Sequence, residues 1–385
     1  MVVGGGPGGL YSAWSLAGQG FGVGLVEEHR TAGQPVHCTG IMAPDAFREF
    51  NIPRSAILNE LHTVRFFSPF GKEFQYSPAT VEAVAIDRVR FDQELFRMAK
   101  DAAVEMYLGR RVTRIEIDDN AVRVQCGDRG PAITARACIL ATGAGYRLHR
   151  QLQLGFPPLY LNSAQVEIPT QTTDDVEIHF GSYFAPEGFG WVVPVHRESA
   201  RFARLGVMCS ANPDTSFRRF LEVIAQRLQL GDTSNLTARK RMLPLAPIAK
   251  TYGTRLLVVG DAAGLVKPTT GGGIYFSIVT AAIAAGLMAE GLSRDTLSSA
   301  FLSEYEKRWR RQLGSEVRMQ VLFRLVSARL NDGEVDQLFD LARTEGLISL
   351  IRSTARFNRH HDLIRALFHY PAARKILLRQ ILSSS

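Results

Sequence analysis

The sequence predicts an α/β fold with a β-rich insertion and a helical C-terminal region, and three observations carry that prediction. The first is a glycine turn at the front of the chain, Gly4-Gly5-Gly6-Pro7-Gly8-Gly9, between an apolar stub and a helical stretch. The second is an apolar run, Leu256-Leu257-Val258-Val259, that ends in Gly260-Asp261-Ala262-Ala263-Gly264. The third is a strand-like block from about Ser163 to Cys209, lying between those two segments.

In the glycine turn, Gly4, Gly6 and Gly9 have the G-x-G-x-x-G spacing. The first glycine makes a tight turn, the second lets backbone approach a pyrophosphate, and the third lets the helix close on the strand. Met1-Val2-Val3 reads as a strand end, Leu10 to Ala17 as a helix, and Phe21 to Val26 as a second strand. Glu27 follows, where a carboxylate accepts hydrogen bonds from ribose hydroxyls. The helix opens with N–H groups aimed at an anion. Strand, turn, helix, strand and acid in that order predict a dinucleotide site. Central strands run to about five or six residues, so the first strand is expected to begin upstream of Met1.

The remaining elements follow in order. Thr31 to Gly40 is a Gly/Pro loop carrying Pro35-Val36-His37-Cys38-Thr39-Gly40. Val64 to Tyr76 predicts a hairpin around Ser68-Pro69-Phe70-Gly71, and Ile86 to Ala103 a helix with Phe91, Leu95 and Ala99 on one face. Val112 to Ile117 and Ala121 to Cys126 flank the turn Asp118-Asp119-Asn120. Ala137 to Ala141 is a short buried strand ending in Thr142-Gly143-Ala144-Gly145. Within the β-rich block, Gln165 to Ile168, Val176 to Phe180 and Gly190 to Val195 are the strand candidates. Asp261 then falls at the carboxyl edge of the sheet, where ligands of open α/β sheets collect. Pro268-Thr269-Thr270-Gly271-Gly272-Gly273 leads into a helix from Ile274, a second N-terminus able to face an electron-rich atom. Residues 268–289 carry no charge, but threonine, glycine and alanine dilute their apolar character. A buried core helix is expected there rather than a membrane span, which needs ~20 predominantly apolar residues.

Composition bounds the function classes. A chain of 385 residues with 46% hydrophobic content buries a large core and divides into more than one unit. Cys38, Cys126, Cys138 and Cys209 show neither C-x-x-C spacing nor a pattern with histidine, which argues against disulfides and structural zinc and for a reducing, cytoplasmic setting. No signal-peptide pattern precedes the glycine turn. Of the net charge of +8, most sits in residues 291–385, with 16 Lys and Arg against 10 Asp and Glu. Lys307-Arg308-Trp309-Arg310-Arg311 and the run Ile364 to Leu382, which sets Leu367, Phe368, Ile376, Leu377, Leu378 and Ile381 among Arg365, Arg374, Lys375 and Arg379, read as basic helices. Such helices are either solvated faces or peripheral contacts with an anionic membrane. Nucleic acid is not expected, because no recognition module accompanies the charge. His360-His361 alone makes no metal site.

The ordered set GGGPGG with Glu27, Arg88-x-x-Phe91-Asp92, ATGAG at 141–145 and GDAAG-x-x-x-P-x-T-GGGI at 260–274 resembles the flavoprotein superfamily built on the aromatic hydroxylase fold. Within it the chain most resembles the geranylgeranyl reductase family, over residues 1 to about 310. PVHCTG is similar to that family's Pro-Val-x-Cys loop near the flavin, and Glu187 to Pro194 to its Gly-Tyr-x-Trp-x-x-Pro segment in the substrate sheet. The resemblance implies a Rossmann-like FAD-binding domain from residues 1–62, 83–160 and 246–300, a substrate domain from 63–82 and 161–245, and a C-terminal helical region over 301–385. It implies FAD with its pyrophosphate at Gly4, Gly6, Gly8 and Gly9, its ribose on Glu27 and its adenine beside the Val112 backbone. Arg88 would lie near the flavin or its phosphates, or else form a surface salt bridge. Gly260 and Asp261 would hold the ribitol or phosphate, with a helix N-cap as the structural alternative for Asp261. Gly273 and Ile274 would face the flavin pyrimidine edge, and Cys38, Thr39 and Gly40 would line the ring.

The implied activity is reduction of isoprenoid carbon–carbon double bonds by hydride from reduced flavin, on a prenyl lipid or prenyl diphosphate. Cys38 is the catalytic candidate, because hydride on one carbon requires a proton on the other; a small buried thiol packing on the ring is its alternative. Trp191 and Phe189 are expected to line an apolar tunnel or to belong to the core. The departures are Gly264 where many flavin hydroxylases have histidine, an Ile-Tyr-Phe-Ser run where they have asparagine, and Gly143-Ala144-Gly145 for Ala-Asp-Gly. They count against the competing reading as a monooxygenase or halogenase. The missing aspartate also weakens any nicotinamide groove and leaves NADPH and ferredoxin open as electron donors. A non-catalytic flavin-binding redox partner is the alternative of another class.

Overall fold

The computed structural model describes every residue except 128–130, 171, 199, 344 and 383–385, so the end of the expected C-terminal region lies outside the described residues. A six-stranded sheet runs in the order Tyr252–Gly253, Leu256–Val258, Cys138–Leu140, Val2–Val3, Gly24–Glu27, Glu105–Leu108. Its pairings are parallel except at the Tyr252–Gly253 edge. Val2, Val3, Leu25, Val26, Ile139, Leu140 and Leu256 to Val258 are all buried, as strands covered on both faces require. Helix Pro7–Ala17 packs against helices Arg88–Asp101 and Ile274–Ser293. Proline at its first turn gives up an N–H that has no helical partner there. The second strand begins at Gly24 rather than Phe21, because the Phe21 N–H still closes the first helix on Leu16 O.

A seven-stranded sheet runs Arg239–Pro244, Tyr160–Pro169, Ala200–Cys209, Phe189–Arg197, Val176–His179, Val64–Phe67, Glu73–Tyr76. It joins the hairpin at 64–76 to the later β block by parallel pairing of Val176–His179 with Val64–Phe67. Period-two alternation divides its side chains. Phe189, Trp191, Val193, Val195 and Met208 join one core cluster. Val192, Ala203, Leu205 and Val207 join another, under helix Pro213–Ile224. Phe220 of that helix fills the space above Gly190, where a Cβ would come within 2.4 Å of the ring. Neither this helix nor strand Arg239–Pro244 stands out in the sequence. The strand opens Arg239-Lys240-Arg241 and so lacks an apolar run. A third, three-stranded sheet pairs Ile41–Met42 and Ile57–Leu61 with Ala83–Ile86.

Helix Ile274–Ser293 is long and apolar enough to cross a membrane, yet 67% of its apolar window is buried within the protein. Among the described residues five helices follow: Ser299–Ser327, Asp332–Ala342, Glu345–Thr354, His361–His369 and Pro371–Leu382. In the basic run at 307–311, Lys307, Arg310 and Arg311 are exposed, as a solvated face requires. Trp309 is buried and donates to Thr251 Oγ1, Arg308 pairs with Glu290, and Arg310 with Glu306. Farther on, Arg365, Arg374, Lys375 and Arg379 are exposed while Ile364 and Leu377 are buried. The Ile381 and Leu382 side chains lie outside the described residues.

Phe220 is fully buried, with ring centroids 5.2 Å from Phe184 and 5.5 Å from His179. Phe220→Ala is expected to lower the unfolding free energy by ~3–5 kcal/mol in urea titrations. A loss below about 1 kcal/mol would show that the helix is not what closes this face.

Candidate active site

The glycine turn, Glu27, the 141–145 loop and Gly260-Asp261 all emerge at the carboxyl edge of the parallel sheet. Gly4 has φ +109°, and a Cβ there would meet Ala141 O at 2.2 Å. A Cβ on Gly9 would meet Gly4 O at 1.9 Å, so strand and helix approach as closely as backbone permits. Gly6 faces open space, and as the N-cap of the first helix it leaves the helix N-terminus without a side-chain cap. A Cβ on Gly8 would come within 2.4 Å of Ser277 Oγ, so this glycine serves the packing of the two helices. Glu27 makes contacts that the sequence does not imply. Its Oε2 accepts from the Gly5 N–H at 2.6 Å and its Oε1 from the His29 N–H at 2.9 Å, so the carboxylate pins the turn. Val112 opens a strand of a separate three-stranded sheet, in a segment tied to the same edge by Arg110 N–H to Glu27 O and by the Arg111–Glu28 pair.

The second half of the site is built by the run after Val258. Gly260 has φ +60° and donates to Thr280 Oγ1. Asp261 is not a helix N-cap. It sits inside a 3₁₀ turn, its carbonyl accepts from Tyr146 Oη at 2.6 Å, and its carboxylate faces Arg241 at 3.5 Å. Asp261 Oδ1 lies 2.6 Å from where a Gly273 Cβ would be, so only glycine fits between that carboxylate and the helix. Gly273 caps helix Ile274–Ser293 through backbone alone, leaving a second uncapped N-terminus at Ile274.

Cys38, Thr39 and Gly40 are held from the seven-stranded sheet. Arg204, 5% exposed, donates to Thr39 O at 2.5 Å and Ile86 O at 3.0 Å while Glu167 holds its Nε. Thr39 Oγ1 donates to Gln165 Oε1, and the Gly40 N–H points at Cys38 Sγ at 3.3 Å. Arg88 is not a surface salt bridge. Its guanidinium binds both Asp92 oxygens at 2.9 Å in a largely buried pair, with Nε unpartnered. Burial works against its charge, but Asp92 and then Cys38 outweigh that and raise its pKa above the ordinary value. A fixed cation therefore stands beside the thiol. The His37 pKa is pushed down by burial and by Arg241, Arg239 and His29 around it, and its Nδ1 is buried without a partner among the described residues. Trp191 belongs to the core: it is 9% exposed and rests on Gly206, where a Cβ would come within 2.2 Å of the indole. Its cluster extends through Met208 and Leu243 to Gly271, so an apolar wall adjoins the second glycine turn.

Several residues of the site escaped the sequence. Arg241 reaches the nucleotide side from strand Arg239–Pro244, which no apolar pattern marks. Arg324, from the helical region, donates to Pro268 O, Thr269 O and Glu187 O. Gln320 Oε1 accepts from the Thr269 N–H and hydroxyl, and His360 Nδ1 meets the same hydroxyl at 2.6 Å. The 268–270 segment is thus gripped from the C-terminal region, a contact that no local signal announces. A cavity of about 460 Å³ lies at the opposite, amino edge of the sheet, lined by Met1, Phe21, Tyr107 and Arg136 among others, and belongs to no part of this site. Open space at Gly6, two uncapped helix N-termini, a carboxylate between them and an orphaned imidazole nitrogen together fit a dinucleotide cofactor with a conjugated ring.

Comparison with known proteins agrees with that geometry. Residues 1–167 match the pyridine nucleotide-disulphide oxidoreductase family. The digeranylgeranylglycerophospholipid reductase 2 of Methanothermobacter thermautotrophicus is 29% identical over 393 aligned positions, covering 98% of both chains. A geranylgeranyl bacteriochlorophyll reductase-like protein of Thermoplasma acidophilum superposes with TM-score 0.85 at 22% identity, over 98% of this chain and 97% of that one. A flavin-dependent brominase shares the fold at TM-score 0.72 and 14% identity, over 100% and 97%.

His360 is partly buried, and desolvation followed by Lys267 lowers its pKa to about 3. A folded pKa below the unfolded value of ~6.5 gives stability that is complete above pH 6.5 and is lost as pH falls toward 3. Between pH 6.5 and 5 the unfolding free energy should therefore fall more steeply in the wild type than in His360→Asn, by up to ~1.4 kcal/mol per pH unit. Parallel slopes would contradict a neutral His360.

Proposed function

We propose, from a chain related along nearly its whole length to the geranylgeranyl reductase family of FAD-dependent oxidoreductases, that this protein reduces carbon–carbon double bonds of an isoprenoid lipid. The single observation that carries the reading is the meeting of two uncapped helix N-termini beside one apolar wall, with Cys38 and Arg88 on the remaining side. FAD, when bound, supplies the hydride that adds to one alkene carbon, and a proton must reach the other.

The residues have these parts in the proposal. The backbone at Gly4, Gly6, Gly8 and Gly9 receives the pyrophosphate at the first helix N-terminus. Glu27 accepts from the ribose while holding the turn, and the Val112 backbone borders the adenine. Gly260 lets the chain pass close, and Asp261 accepts from the ribitol. Gly273 and Ile274 present N–H groups to the pyrimidine edge, where a helix N-terminus stabilises negative charge. Thr39 and Gly40 place Cys38, whose Sγ holds the proton, beside the Arg88 cation. The partly exposed Phe189 and Leu243, backed by the buried Trp191 and Met208, exclude water and accept a prenyl chain. The relatives' names speak of a phospholipid carrying geranylgeranyl chains, and we carry that substrate class over here. Halogenase and monooxygenase neighbours share the architecture, but Gly264 and the apolar start of helix Ile274–Ser293 separate this chain from the hydroxylase pattern.

Glu27→Ala and Asp261→Ala should each weaken FAD retention about tenfold or more, since each removes a charge-assisted acceptor worth ~1.5–3 kcal/mol. Fluorescence titration of the purified variants reads this directly. Full flavin occupancy in both would sink the site assignment.

In anaerobic single-turnover experiments, Cys38→Ser should keep the flavin yet slow its reoxidation by a prenyl phospholipid by ~10²-fold or more. Wild-type rates in Cys38→Ser and Cys38→Ala alike would leave the thiol a packing role only.

Peripheral membrane contact completes the proposal, supported by exposed Arg365, Arg374 and Lys375 on helices whose buried side is apolar. Each basic residue near an anionic surface contributes ~1 kcal/mol. Changing Arg374, Lys375 and Arg379 to Glu, or adding salt, should reduce sedimentation with anionic vesicles without affecting flavin content. Sedimentation that ignores both would contradict the electrostatic contact.

A further inference from the structure

Lys267 is 4% exposed and has no carboxylate within ion-pair distance among the described residues. Its Nζ donates to Phe357 O at 2.9 Å and lies 3.7 Å from the centroid of the Phe357 ring. A buried cation without an ion pair is costly, and such groups concentrate where a charge has work to do. Its position says what that work is. Lys267 Nζ stands 3.5 Å from where a Cβ on Gly272 would be, directly behind the turn that ends at Gly273 and Ile274. The turn is tied to the same lysine by backbone, through Lys267 N–H to Gly272 O at 3.1 Å and Gly271 N–H to Lys267 O at 2.8 Å.

We propose that Lys267 is a positioning residue whose buried ammonium, held behind the Gly271–Gly273 turn by the C-terminal helical region, reinforces the helix N-terminus in stabilising the negative charge that the flavin pyrimidine edge gains on reduction. This rests on the placement of that edge at Gly273 and Ile274. The surroundings keep the lysine close to the balance between its two forms. Burial brings its pKa down to about 7, while the Glu316 carboxylate opposes that fall. Glu316 is itself engaged by the His360 and His361 N–H groups and by Gln320 Nε2, and Arg324 and His360 grip the adjoining Thr269. Glu82 anchors the far side by accepting from the Phe357 N–H. The helical region therefore sets the field at the cofactor.

The test is the midpoint potential of the bound flavin, measured together with flavin content, in the wild type, Lys267→Met and Lys267→Gln. Removing the cation in either variant should move the potential to more negative values, with flavin retained. Lys267→Met with bound flavin at the wild-type potential overturns the role of Lys267 and leaves the cofactor site untouched. Should Lys267→Met fail to fold, Lys267→Gln, whose amide can still donate to Phe357 O, decides: a negative shift supports the proposal and an unchanged potential overturns it. A wild-type protein that binds no flavin would overturn the placement of the site as well.

Discussion

The close approach of Gly9 to the Gly4 carbonyl is the constraint on which the rest of the site depends. With no side chain between them, the first helix sits directly over the strand carboxyl end, and its N-terminal N–H groups are delivered to a fixed point in space. Pinning by Glu27 through Gly5 fixes the turn from the other side. Because helices Pro7–Ala17 and Ile274–Ser293 pack together, with Gly8 and Gly260 both resting on Ser277, the second N-terminus is placed relative to the first by contact rather than by loops. Two partial positive charges then share one opening, and a ligand with a pyrophosphate at one end and a reducible ring at the other satisfies both.

Substrate chemistry is coupled to that opening by polar contacts that cross between the sheets. Arg204 spends its guanidinium on two backbone carbonyls and on Glu167, which makes the cysteine loop an extension of the seven-stranded sheet. Arg324 does the same for the 268–270 segment, joining it to Glu187. The apolar wall and the cofactor loops are thereby held to common supports. A prenyl chain lying along the partly exposed Phe189 and Leu243 would meet the ring at a separation set by these arginines rather than by its own binding.

How much of this the sequence shows follows from how local each determinant is. The glycine turn, Glu27, Gly260-Asp261 and the helix start at Ile274 are short-range patterns, and the structure brings all of them to one edge. The hairpin at 64–76 and the strands after 160 are legible because their side chains alternate. Arg241, Arg204, Lys267 and Arg324 are not legible. Each is a basic residue in a stretch of ordinary composition, and its meaning comes from a partner remote in sequence or on another sheet. The basic run at 307–311 is legible as a solvated face, since Lys307, Arg310 and Arg311 are exposed, but the partners of Arg308 and Trp309, Glu290 and Thr251, are remote in sequence and are not.

The central claim is that reduced FAD held between these two helix N-termini passes its electrons to an isoprenoid double bond. It is tested most directly by reducing the purified holoprotein without oxygen, adding a geranylgeranyl phospholipid, and weighing the lipid by mass spectrometry. The account predicts a gain of two hydrogens on the lipid for each flavin that returns to its oxidised, yellow form. Flavin that stays reduced beside an unchanged lipid, and that turns over only when oxygen is admitted and appears in the product, would contradict it.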